Sequence, residues 1–180
     1  MARFVALFAV MLTALFAAEL TPHGQSAVVL PWTEALVRIC AGLATLFDSH
    51  VEAVGRILSS TANGFAISIE AGCNGLEAAI VLIAAMLAFP APVKHRAIGI
   101  VAGLCAVQAL NVVRVISLFY LGQWSAAAFE WAHLYVWQAL IMLDALVVWL
   151  LWIRMLPRSP STPAPVLSSE SGVTGRAMAP

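Results

Sequence analysis

The feature that most constrains this chain is a set of long apolar runs: Phe4 to Leu20, Leu76 to Phe89, Ala97 to about Leu121, and about Leu134 to Ile153. At ~1.5 Å per residue, runs of this kind are built to cross or line a hydrocarbon core of ~30 Å. Composition agrees: 62% of residues are hydrophobic and 10% charged, against roughly 45–50% and 25% in soluble domains. The expected fold is an all-α polytopic membrane protein with about four transmembrane helices. A length of 180 residues leaves room for one compact domain, and a net charge of +0 gives no indication of a nucleic-acid partner. Cys40, Cys73 and Cys105 have no CxxC spacing and no paired His/Cys cluster, so neither a metal nor an organic cofactor is expected.

Taken in order, the run behind Arg3 reads as an uncleaved first helix, after which Pro22 and Gly24 break the helical pattern. Trp32 to Phe47 places Glu34, Arg38 and Thr45 among leucines and isoleucine, an amphipathic pattern expected to lie on the outer membrane surface. Arg56 to Ser59 and Phe65 to Glu70 read as a small β-hairpin turning at Asn63-Gly64. Its second arm leads into Gly72-Cys73-Asn74-Gly75, a tight turn that sets Cys73 near a helix N-terminus. Arg3, Lys94, Arg96, Arg154 and Arg158 mark the cytoplasmic side, which puts both termini inside and the hairpin outside. Residues 1–156 are therefore expected to form the membrane-embedded domain, and the Pro/Ser/Thr-rich residues 157–180 a disordered cytoplasmic tail.

Depth counting joins three distant residues. From the cytoplasmic ends, Cys73 to Pro90, Arg96 to Arg114 and His133 to Arg154 each span ~25–31 Å, so all three polar residues reach the outer interface. A thiol, a guanidinium and an imidazole at one depth suit a nucleophile, an anion stabiliser and an acid/base. A helix N-terminus and a nearby arginine both favour thiolate. Gln108, Asn111, Arg114 and Ser117 recur every three residues as a polar stripe on an apolar helix, and an intramembrane arginine is by default a functional candidate. Glu77 is positioned either to tune the site or to pair with Arg114, whereas Asp144 lies ~16 Å below His133, too deep to orient it. A structural account remains open for each: a small turn residue at Cys73, a snorkelling Arg114, an interfacial His133 in an aromatic belt.

Gly72-Cys73-Asn74-Gly75-Leu76-Glu77, Asn111-Val112-Val113-Arg114-Val115 and His133 before a last helix together resemble the exosortase/archaeosortase family of membrane cysteine transpeptidases. The compact layout is most similar to exosortase H. The resemblance implies Cys73 as nucleophile, Arg114 as its anion-stabilising partner and His133 as third catalytic residue, with Asn74, Glu77 and Asn111 in supporting positions. It implies as substrates exported proteins that end in a short motif, a transmembrane helix and a basic segment. These would be cut at the outer face of the cell inner membrane and passed to a surface acceptor, either a membrane lipid or a surface polymer. A non-catalytic assembly factor or a small-solute transporter is the alternative.

Overall fold

The computed structural model describes residues 1–156, so the tail expected from Pro157 and its Arg158 lie outside the described residues. The described residues form five helices and one small sheet. Helix α1 (Ala2–Glu19) is followed by α2 (Pro22–Ala44), strands β1 (Val51–Val54), β2 (Ile57–Ser60) and β3 (Ala66–Ser68), and helices α3 (Leu76–Ala88), α4 (Val93–Trp124) and α5 (Ala126–Arg154). By length and composition α1, α2, α4 and α5 can each cross a membrane, whereas α3 is apolar but only 13 residues long. The four candidate spans thus include α2 in place of the expected Leu76 to Phe89 run.

Helix α2 departs most from the sequence reading. It starts at Pro22, where a proline suits the first helical turn, and Thr21 caps it by accepting from Gly24 N at 2.9 Å. Pro31 does not interrupt it. A proline inside a helix lacks an N–H and crowds the carbonyl four residues back. A π turn at Gln25–Val29, closed by Leu30 N donating to Gln25 O, widens the backbone just ahead and absorbs that misfit. The segment expected from Trp32 to Phe47 is therefore the later part of a longer helix that ends at Ala44. Its buried face, Leu36, Val37, Cys40 and Ala44, packs with Val51, Leu58 and Ile69 of the sheet region and with Val115 and Phe119 of α4. Ile39 and Leu43 face outward. Glu34 and Arg38 form no ion pair; among the described residues the one ion pair is Arg56–Glu70, at 2.6 Å.

The hairpin is joined by β1, which sequence reading missed, to give an antiparallel sheet of order β1-β2-β3. Gly55, with φ +58°, sits in the two-residue link that brings Val54 opposite Ile57. In the second turn Asn63 Oδ1 accepts from Phe65 N at 2.9 Å. A second core lies toward the other end of the bundle: Leu82 and Met86 of α3 pack with Val107 of α4 and with Ile141, Ala145 and Trp152 of α5. Phe4 stacks on Trp149 and meets Phe89 edge-on, which fastens the start of α1 to the same end.

Two helix starts also shift. Helix α4 begins at Val93, directly after Pro92, so Lys94, His95 and Arg96 are helical rather than linking. Arg96 donates back to Phe89 O at 3.0 Å. Ser125 Oγ accepts from Ala128 N and starts α5 eight residues ahead of the expected Leu134, which places His133 inside a helix.

Candidate active site

Between β3 and α3 the chain makes one compact turn, and two glycines permit it. Gly72 and Gly75 have φ of +86° and +77°, a region that costs other residues dearly. At Gly75 there is also no room for a side chain, because a Cβ would lie 2.9 Å from Gln108 Oε1 and 3.1 Å from Asn111 Cγ. The polar stripe of α4 is thus explained from its lower end: Gln108 and Asn111 form the floor on which the turn rests.

Asn74 holds the turn from the other side. It is fully buried. Its Nδ2 donates to Thr33 Oγ1 at 3.1 Å, its Oδ1 accepts from Leu76 N at 3.0 Å, and its carbonyl accepts from Trp32 Nε1 at 3.1 Å. Thr33 in turn donates to Val29 O at 2.7 Å. Glu77 accepts from Gly72 N, which braces the turn, and it forms no ion pair with Arg114, one of the two roles expected of it. Asn111 is fully buried, and neither its Nδ2 nor its Oδ1 has a partner among the described residues.

The braced turn presents Cys73 to two other elements. Arg114 Nη2 donates to Cys73 Sγ at 3.6 Å, and His133 Nε2 lies 3.8 Å from the same sulfur. Arg114 is 2% exposed. It has no carboxylate partner among the described residues, and its backbone carbonyl accepts from Ser117 Oγ at 2.9 Å. His133 sits on a π turn (Ala132–Val136), a local widening of the helix often found at functional positions. Its ring stacks on Phe129 with centroids 5.6 Å apart. Its Nδ1 is buried without a partner among the described residues, and Asp144 makes no bond to it. The structure therefore brings Cys73, Arg114 and His133 together, with Asn74, Glu77 and Asn111 beside or beneath them.

Around the sulfur is a cavity of about 40 Å³, lined by Ile67, Ser68, Ile69, Cys73, Arg114, Val115, Leu118, Phe129 and His133. It admits a group of carbonyl size. Burial raises the pKa of the Cys73 thiol above its ordinary value, the Arg114 guanidinium pulls it down, and the Glu77 and Glu70 carboxylates add to the rise. The net direction is toward the neutral thiol, because burial outweighs the neighbouring cation that by itself favours thiolate. Nucleophilic use of the sulfur then requires a base within reach, and His133 Nε2 has that position.

Sequence reading did not single out Trp32, Thr33 or Phe129. The spacing of Phe129 and His133, four residues apart on one helix, was a readable signal. Trp32 and Thr33 gave none, since they reach Asn74 across 42 and 41 residues of chain.

Comparison with characterised proteins and with solved structures gives no significant match. A family model described as transmembrane exosortase (Exosortase_EpsH) matches residues 2–152, a stretch that contains the turn at Cys73, Arg114 and His133. The chain belongs to the transmembrane exosortase family.

Proposed function

We propose that this multi-pass membrane protein is a cysteine peptidase/transpeptidase that cleaves the C-terminal sorting signals of exported proteins at the outer face of the inner membrane. The observation that carries the reading is the convergence on Cys73 Sγ of Arg114 Nη2 at 3.6 Å and His133 Nε2 at 3.8 Å. In the first step His133 Nε2 takes the thiol proton as the sulfur attacks the scissile carbonyl. The tetrahedral oxyanion is stabilised by the Arg114 guanidinium. The Cys73 N–H is already given to Glu70 O at 3.0 Å, so the Asn74 N–H is the backbone donor left for this task. Collapse breaks the C–N bond, the imidazolium protonates the leaving amine, and a thioester remains on Cys73. His133 then deprotonates the incoming nucleophile, which releases the thiol: an amine on a surface acceptor gives transpeptidation, and water gives hydrolysis.

The orientation rests on charge. Arg3, Lys94, Arg96 and Arg154 lie at helix ends remote from Cys73, and positive residues favour the cytoplasm. The substrate's transmembrane helix would lie beside α3 to α5, with its basic end at that face.

The test is processing of a host protein with a motif, transmembrane helix and basic end, followed by immunoblot. Cys73→Ala and Cys73→Ser are each expected to lower processing by more than about a thousandfold at normal enzyme abundance. Full processing by both variants would sink the reading and favour a non-catalytic assembly factor.

A further inference from the structure

Strand β3 ends five residues before Cys73, and Ile67, Ser68 and Ile69 form part of the wall of the Cys73 cavity. The strand is paired on one side only. In its register with β2, Leu58 opposes Ile67, and Ser60 N donates to Phe65 O while Ile69 N donates to Arg56 O. Residues 65, 67 and 69 thus direct their backbone groups to β2. By the alternation of an antiparallel ladder, the N–H and C=O of Ala66 and Ser68 point the other way. These groups find no partner among the described residues. Phe129 and His133 line the same cavity as Ile67, Ser68 and Ile69.

The occupant that fits is an extended polypeptide. Donors and acceptors alternating at strand spacing, two residues apart, are matched by another strand, whereas a lipid headgroup or small solute offers no such repeat. The site's own chemistry needs a peptide carbonyl at Cys73, a few residues along from this edge. The direction follows from depth. The ring of Phe65, just before β3, lies against Gly122, where it would meet an added Cβ, and Gly122 is two turns of α4, ~12 Å, farther out than Arg114. Strand β3 therefore descends toward the membrane as it approaches Cys73. A substrate whose transmembrane helix follows its cleavage point descends the same way.

We propose that the sorting motif binds as a fourth strand, parallel to β3, through the backbone N–H and C=O of Ala66 and Ser68, which sets its scissile carbonyl at Cys73. This rests on the peptidase reading above. The side-chain pockets would then choose among motifs, while the β3 edge supplies affinity that any extended sequence can use.

The test has two arms. Ser68→Pro removes one outward N–H and leaves the β2 ladder intact, a change tolerated at a sheet edge. Processing of the host protein by this variant is expected to fall about tenfold, the loss of one well-made hydrogen bond, while N-ethylmaleimide still labels Cys73. Processing at the wild-type rate would overturn the proposal. The second arm needs no turnover. In a Cys73→Ala, Cys105→Ala background, Ala66→Cys or Ser68→Cys is oxidised against single cysteines placed at successive positions ahead of the substrate's transmembrane helix. Cross-linking at every second position, with Ser68→Cys favouring the sites nearer the helix, supports the parallel strand even if Ser68→Pro misfolds. Cross-links without that period, or in the reverse order, overturn it. Continued processing by Cys73→Ala would instead remove the peptidase reading, a different outcome from either.

Discussion

Arg114→Gln is expected to lower processing by about a hundred- to a thousandfold, the range for removing a donor from a developing oxyanion, without loss of folded protein. The second half of that prediction separates function from architecture. A guanidinium 2% exposed, with no carboxylate partner among the described residues, is a burden on folding rather than a support for it. Its replacement by a neutral amide should leave the thermal midpoint in detergent unchanged or raised. The same variant has a pH signature. Arg114 is the group that lowers the Cys73 pKa, against burial and two carboxylates that raise it. Removing the cation therefore raises that pKa further, and at any fixed pH below the midpoint a smaller fraction of thiol is ionised. Alkylation of Cys73 by iodoacetamide should slow, and its midpoint should move to higher pH. Wild-type processing with an unmoved alkylation profile would show that Arg114 does not act on the sulfur.

Gly75→Ala is expected to be nearly as damaging, although no side chain is lost. The residue has φ +77°, which for an alanine costs about 1–2 kcal/mol. The added Cβ would also meet Gln108 Oε1 at 2.9 Å and Asn111 Cγ at 3.1 Å. Gln108 can swing its amide aside, but the buried Asn111 must also give, and any lift of the turn from α4 carries Cys73 with it. A shift of about 1 Å at a reacting group can cost a hundredfold in rate, and processing should fall by about that factor, with a lower thermal midpoint. Adding Gln108→Ala relieves one contact but neither the backbone strain nor the Asn111 contact, so the double variant should recover only part of the loss. A fully active Gly75→Ala enzyme would mean that the turn is not held against the α4 floor.

These two predictions also mark what the sequence makes readable. The apolar runs, the glycine-bracketed turn and the shared depth of Cys73, Arg114 and His133 are all consequences of helix rise and local backbone preference, and they can be counted along the chain. The start of α2 at Pro22 is not readable this way, since Pro31 signals a break and only the π turn at Gln25–Val29 cancels it. Strand β1 is four residues long and owes its place to pairing with β2 and burial against α2, both long-range. The Asn74 clamp likewise depends on α2 arriving beside the turn. The protonation of Cys73 depends on a balance of burial against charge, and burial is a property of the packed chain. Residue types could indicate the attraction of an arginine for a thiolate, but not the larger cost of taking that thiolate out of water.

The most direct measurement is to quench a reaction of the wild-type protein and its host substrate in acid and locate any enzyme–substrate bond by mass spectrometry. The expected product is an adduct of the substrate's N-terminal portion on Cys73, released by neutral hydroxylamine and absent from Cys73→Ala. An adduct on another residue, or one that resists hydroxylamine, would contradict the assignment of Cys73 as the nucleophile.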